Sequence, residues 1–232
     1  MRRCLWVLLT LLLVCPTARA AEDGEKYVAL TFDDGPSGRF TRRLLEGLAE
    51  RDAKATFLLC GYRMEQYPEI TQRIFSEGHE IGFHGFSHKP MISMSRRSIG
   101  QELIDSQTLL PEDCDPVFFR PPGGIVNDRV RQVAEVRQLA LLSWSVDPRD
   151  WDSKTTESIK SAVLSRVKDG DIVLLHDMTM RSVQAALEIV DALQAQDYRF
   201  VTASELARLR KTRIKPGEIY TSFPVKQGEQ MK

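Results

Sequence analysis

Hydrophobic and polar positions follow two rhythms along this chain. Short apolar runs bounded by turn residues take turns with longer stretches whose apolar positions recur three and four apart. The short runs predict strands over 28–32, 55–59, 80–83, 117–119, 139–145, 171–175 and 199–201. The longer stretches predict helices over 40–51, 67–77, 98–110, 127–137, 155–168, 182–196 and 203–211. Leu44, Leu45 and Leu48 share one face of the first helix, and Ile99, Leu103 and Ile104 form the stripe of the third. Gly78 stops the second helix, Asn127 is placed to cap the fourth, and Ser153 to cap the fifth. Strict alternation of this kind implies a parallel sheet wrapped by helices. Seven or eight strand–helix units with short connections suit a closed or nearly closed barrel better than an open sheet. The expected fold is therefore a single-domain α/β barrel of seven or eight parallel strands. The polar stretch from Ile214 onward, with two prolines and two glycines, reads as a loosely ordered tail over 211–232.

The first twenty residues stand outside this pattern. Met1-Arg2-Arg3 is basic, Cys4 to Cys15 is apolar but short for a bilayer, and Ala18-Arg19-Ala20 has the form of a cleavage site. Residues 1–20 are read as a secretory signal peptide, which puts the mature protein outside the cell or in its envelope, with no membrane span left after cleavage. An uncleaved anchor fits less well because the apolar run is short, and Val14 and Pro16 around Cys15 fit a lipoprotein signal badly. The whole chain carries 32 Lys and Arg against 32 Asp and Glu. The leader holds three of the arginines and no acid, so the remainder is slightly acidic, which argues against a nucleic-acid partner. Cys60 follows one strand and Cys114 precedes another, so they lie at opposite ends of a parallel sheet and are expected as free thiols.

Five segments each sit at the C-terminal end of a predicted strand, and on a barrel these ends converge on one face. The first is Thr31-Phe32-Asp33-Asp34-Gly35-Pro36. Adjacent carboxylates are poorly explained by packing and make sense beside a metal ion or an arginine. The second, Gly82 to His88, holds two of the four histidines in the chain. His84 and His88, four apart, face the same way on a helical turn and can chelate one metal. The third is Arg120-Pro121-Pro122-Gly123-Gly124, where an arginine leaves a buried strand and two glycines let backbone approach a ligand. The fourth is Asp147-Pro148-Arg149-Asp150-Trp151. The fifth ends the most apolar strand at His176, for which Asp150 is an orienting partner. His79 precedes its strand and is read as structural.

These segments, in this order, resemble the motif set of the NodB-homology polysaccharide deacetylases, carbohydrate esterase family 4, over residues 26–210. The resemblance implies a distorted (β/α) barrel and a divalent metal held by Asp34, His84 and His88. Zn2+ stands first, with Co2+, Fe(II) and Ni2+ open, because ligand type alone does not choose. It implies Asp33 as general base, kept charged by Arg120. The Gly123 N–H and the metal would hold the oxyanion. His176, oriented by Asp150, would be the general acid, with Trp151 and Leu174 lining the groove for the acetyl methyl group. Many members carry an aromatic residue where Gly123 stands, which bears on the shape of the sugar site.

The implied activity is hydrolysis of the N-acetyl group of N-acetylglucosamine residues in peptidoglycan or chitin-like glycans, giving amino sugar and acetate. An acetyl-xylan O-esterase would use the same groups. A muramic acid deacetylase tends to replace the second Asp of the first motif, and Asp34 is intact. A small-molecule amidase usually has altered motifs and no export signal. A sugar-binding protein that has lost catalysis would have lost at least one of Asp33, Asp34, His84, His88, Arg120 or His176. Oligomeric state is not legible in the sequence.

Overall fold

The structure is a computed structural model and describes residues 25–153 and 155–225. The signal peptide read from residues 1–20 lies outside the described residues, as does the end of the tail from 226 to 232. In chain order the elements are β1 (Lys26–Asp33), α1 (Gly38–Ala49), β2 (Thr56–Leu59), α2 (Gly61–Gln66), α3 (Pro68–Ser76), β3 (Glu80–Phe83), α4 (Arg96–Gln107), β4 (Phe118–Phe119), α5 (Asp128–Val136), β5 (Ala140–Leu142), α6 (Thr156–Leu164), β6 (Ile172–His176), α7 (Met180–Gln194), β7 (Tyr198–Phe200), α8 (Ala203–Leu209) and β8 (Ile219–Tyr220).

The strands form one sheet in the order β6-β1-β2-β3-β4-β5-β8, with β7 paired to β1, and every strand pair is parallel. The sheet curls into a distorted barrel. Beyond β5 the chain crosses back to β6, where Val146 bridges Val173 and its carbonyl accepts from Leu174 N–H at 2.9 Å. The eight-residue β1 is long enough to serve two neighbours on one side. Its first half pairs with β7 and its second with β2, and Lys54 N–H donates to Phe200 O where those two meet.

Side-chain alternation along β1 divides the core. Val28, Leu30 and Phe32 join Leu44, Leu45, Leu48, Val183 and Ile189 in the layer between sheet and helices. Tyr27 and Ala29 face the barrel interior with Leu58, Phe118, Ile172 and Phe223. The same parity sends Thr31 and Asp33 inward, so an aspartate enters the barrel because it falls on an odd position of a strand buried on both faces. Helix α1 closes on α7 at Gly47, where any Cβ would collide with Leu187.

Several expectations change in detail. The tail supplies β8, and Phe223 is fully buried, because the barrel edge beside β5 is otherwise uncovered. Ser153 does not cap α6: its hydroxyl turns back to the carbonyls of Pro148 and Arg149, and Thr155 accepts from Ser158 N–H instead. Ile104 is exposed, and the buried stripe of α4 runs through Ile99, Leu103 and Ser106. Helix α2 was not anticipated from the apolar pattern. Asn127 caps α5 as expected, accepting from Val130 N–H at 3.0 Å. Cys60 and Cys114 are free. His79 is buried at the opposite end of β3 from His84, accepts from Ala55 N–H at 3.2 Å, and is lowered to about 4 by desolvation and then by Lys54. Among the described residues no helix is long and apolar enough to cross a membrane.

Candidate active site

Strand register brings the site together. Asp33 at the end of β1 is level with His176 at the end of β6. Phe83 is level with Phe119, so His84 and Arg120, each one residue further on, stand side by side, with His84 Nδ1 2.7 Å from Arg120 O. Asp34 and Gly35 follow Asp33, and Asp150 reaches His176 from the loop after β5.

Arg120 is fully buried, and its guanidinium is well supplied with acceptors. Nε donates to Leu142 O at 2.8 Å, Nη2 to Ser143 O at 2.8 Å, and Nη1 to Thr31 Oγ1 at 2.9 Å and Asp33 Oδ1 at 2.6 Å. A buried charge needs such partners to offset its desolvation. The pair fixes Asp33 through Oδ1 and leaves Oδ2 toward the cleft, 3.8 Å from His84 Nε2.

Asp34 has a left-handed backbone, φ 72°, and so points away from the side taken by Asp33. Its Oδ1 lies 3.2 Å from His84 Nε2 and 2.9 Å from His88 Nε2. These two histidines do not share a helical turn. The loop from His84 to His88 is irregular, bending at Gly85 with φ 79° and at His88 with φ 57°, and their rings are 5.2 Å apart. The three side chains fit a divalent cation. Two ligands bound at 2.0–2.1 Å at the tetrahedral angle are separated by roughly 3.3 Å, close to the spacings here. His84 Nδ1 donates to a carbonyl, which leaves the Nε2 lone pair for a metal. Asp34 Oδ1 is buried with no hydrogen-bond partner, so its approach to the imidazoles is one of proximity rather than aligned hydrogen bonding. Burial raises the Asp34 pKa, but its attraction to the two imidazoles outweighs that and holds the carboxyl well below the usual range. The same carboxylate raises His88.

Asp150 is fully buried and engages both oxygens with His176: Oδ1 is 2.7 Å from Nδ1, and Oδ2 accepts the His176 backbone N–H at 2.9 Å. Burial pulls the imidazole down, but the Asp150 bond and charge, with Asp33 and Asp34 behind them, raise His176 to about 9.

Gly123 lies in the turn Pro122–Gly124 with φ 72° and open space where a side chain would be. Gly124 N–H closes that turn onto Pro121 O at 2.8 Å, and Trp144 fills the space a Gly124 side chain would need. Leu174 is 5% exposed in β6, and Trp151 is 59% exposed with Arg149 over its ring.

Sequence reasoning missed Asp177. It is fully buried behind the Asp33-Asp34 turn, and its Oδ2 accepts from Thr41 Oγ1 while its carbonyl accepts from Ser37 Oγ. A Cβ on Gly35 would meet its Oδ1 at 2.8 Å, so a side chain there would have to displace the Asp177 carboxylate. Burial pushes the Asp177 carboxyl up to about 6. The signal was an acid directly after His176 with no surface role to explain it.

A family profile described as polysaccharide deacetylase matches residues 20–141. The chain belongs to the polysaccharide deacetylase family. This family, carbohydrate esterase family 4, includes hydrolases acting on N-acetyl bonds. A peptidoglycan-N-acetylglucosamine deacetylase of Bacillus cereus is 39% identical over 194 residues, covering 81% of this chain and 91% of that protein. The peptidoglycan-N-acetylmuramic acid deacetylase PdaC of Bacillus subtilis is 34% identical over 200 residues, covering 85% of this chain but only 42% of that protein. The solved structure of PdaC matches with a TM-score of 0.78 at 34% identity, covering 82% of this chain and 94% of that one. A family 4 acetyl xylan esterase from Clostridium thermocellum, solved with a cobalt ion, matches with a TM-score of 0.79 at 35% identity, covering 86% of this chain and all of that one.

Proposed function

We propose that this polysaccharide deacetylase is a secreted, divalent-metal-dependent enzyme that removes the acetyl group from N-acetylglucosamine residues of peptidoglycan. The observation that carries the reading is a single rim holding a carboxylate–two-histidine cluster, a carboxylate fixed by a buried arginine, and a histidine–aspartate dyad. The kinship to a peptidoglycan-N-acetylglucosamine deacetylase over most of both chains supports the polymer, and the leader at residues 1–20 supports export.

Asp34, His84 and His88 would hold the cation, Zn2+ first and Co2+ next by donor chemistry. When bound, the cation supplies Lewis acidity to the acetyl carbonyl and to the attacking water. Asp33 takes the water proton on Oδ2, the oxygen that Arg120 leaves free. The Gly123 N–H donates to the developing oxyanion, on a turn that Gly124 and Trp144 hold in shape. As the C–N bond breaks, His176 delivers its proton from Nε2 to the leaving nitrogen, with Asp150 stabilising the imidazolium. Trp151 and Leu174 line the acetyl groove. The products are acetate and a free amino sugar.

Two readings share this machinery. The likeness to the acetyl xylan esterase favours an O-acetyl ester substrate, and the likeness to PdaC favours N-acetylmuramic acid. Acetate release by the protein, loaded with Zn2+ or Co2+, from purified peptidoglycan, chitin oligomers and acetylated xylan decides among them. Release from peptidoglycan, with glucosamine as the new amino sugar, is expected. Muramic acid as the new amino sugar, or release only from xylan, would move the enzyme to one of the other readings.

A further inference from the structure

We propose that Glu102 is a positioning residue that pre-shapes the His84–His88 loop for its metal. This rests on the reading of Asp34, His84 and His88 as ligands and extends it to the part of the molecule that fixes their geometry. On a helix, two histidines four apart are held by the helix's own hydrogen bonds. Here the intervening residues form no helix, and the loop turns through two left-handed positions, Gly85 and His88. The spacing has no rigidity of its own, so the rigidity comes from outside.

Its source is visible in the hydrogen bonds. Two of the loop's acceptors are taken by the start of α2: Gly61 N–H donates to Gly85 O at 2.9 Å and Tyr62 N–H to Phe86 O at 3.0 Å. Three of the loop's donors are taken by one carboxylate from α4. Phe86 N–H and Ser87 N–H reach Glu102 Oε2 at 2.8 and 2.7 Å, and Ser87 Oγ reaches Oε1 at 2.7 Å. Successive N–H groups turned to one point form an anion-binding nest, filled here by the chain's own side chain. Bonds to a charged acceptor are about twice as strong as neutral ones.

Glu102 itself is anchored. It lies within the core-facing stripe of α4, between buried Ile99, Leu103 and Ser106, where an acid is out of place unless it has partners to satisfy. The two histidines depend on it unequally. His84 is buried and held through Nδ1 by Arg120 O, whereas His88 side chain is 41% exposed and follows the loop. Without Glu102 the loop's donors turn to water and His88 loses its fixed position. The ion then has to order the loop as it binds.

The test is Co2+ titration of the metal-free protein, with Glu102→Gln, Glu102→Ala, Ser87→Ala and His84→Ala alongside, and thermal unfolding of each metal-free variant. Glu102→Gln is expected to weaken Co2+ about tenfold or more, Glu102→Ala at least as much, and Ser87→Ala by less. The metal-free unfolding midpoint should stay near that of the parent, and kcat on the glycan substrate should return to the parent value at saturating Co2+. That recovery is what a purely structural role would not give. Parent-like Co2+ affinity in both Glu102 variants, with His84→Ala unable to bind, overturns the proposal alone. Parent-like affinity in His84→Ala as well overturns the metal assignment and the proposal together. Low kcat at saturating Co2+, or an affinity loss confined to variants whose metal-free fold collapses, overturns it too, and Ser87→Ala then binds Co2+ like the parent.

Discussion

Asp33 ends β1 in extended backbone, points into the barrel, is 4% exposed, and meets the guanidinium of a fully buried arginine at 2.6 Å. Asp34, the next residue, has φ 72° and turns into the cleft, where it meets two imidazoles on an irregular loop, one of them 41% exposed. The first is held by the sheet and the second by loops. What the sheet holds is tied to the stability of the whole fold, because its partners are strand residues and core carbonyls. What the loops hold can be lost while the fold survives. The division suits the proposed chemistry, in which a base needs one fixed direction while a ligand cluster has to admit an ion and a substrate from solvent.

Substitutions should separate the two halves. Asp33→Asn keeps the Arg120 contact and removes the base, so turnover should fall by about two to four orders of magnitude while Co2+ affinity is retained. Full activity in that variant would sink the assignment. Arg120→Ala leaves a buried carboxylate unpaired and should cost about 3–5 kcal/mol of stability in urea unfolding. His88→Ala should leave metal-free stability within about 0.5 kcal/mol yet weaken Co2+ binding severely by titration. If His88→Ala destabilised the metal-free protein as much as Arg120→Ala, the contrast between sheet and loop would be wrong.

The dyad adds a pH test. His176 is raised from 6.5 to about 9, because the Asp150 bond and charge overcome desolvation. A raised histidine contributes stability that is complete below about pH 6.5 and is lost as pH climbs through about 9. As general acid it should also place the alkaline limb of kcat/KM in that window. Asp150→Asn should move the limb toward acid by about 1–2 units in a pH–rate profile, and an unmoved limb would remove His176 from the role. The smallest effect is expected at Thr41→Val, which takes one donor from Asp177 behind the Asp33-Asp34 turn and should cost about 1 kcal/mol with the pH profile unchanged.

Much of this was legible in the chain. The alternation of apolar runs and amphipathic stretches predicted the parallel barrel, since both periods are local and neither depends on distant contacts. The same strand boundaries placed Asp33, His84, Arg120 and His176 at C-terminal ends, and parallel order then put them on one rim. Residues whose role depends on a partner far along the chain were not legible. Glu102 reads as one more acid on a helix until the fold sets it beneath a loop that begins 18 residues earlier at His84. Asp177 reads as the residue after a histidine until Thr41 and Gly35 close over it. Tyr220 and Phe223 read as part of a polar tail until the exposed edge of β5 gives them something to cover. The helical turn expected for His84 and His88 failed for the same reason: spacing alone prefers a helix, and hydrogen bonds from α2 and α4 impose a loop. Local periodicity determined which elements form and in what order, because it reflects burial of one face. Tertiary structure alone decided how the loops between them are bent, because those bends are set by donors and acceptors brought from elsewhere in the fold.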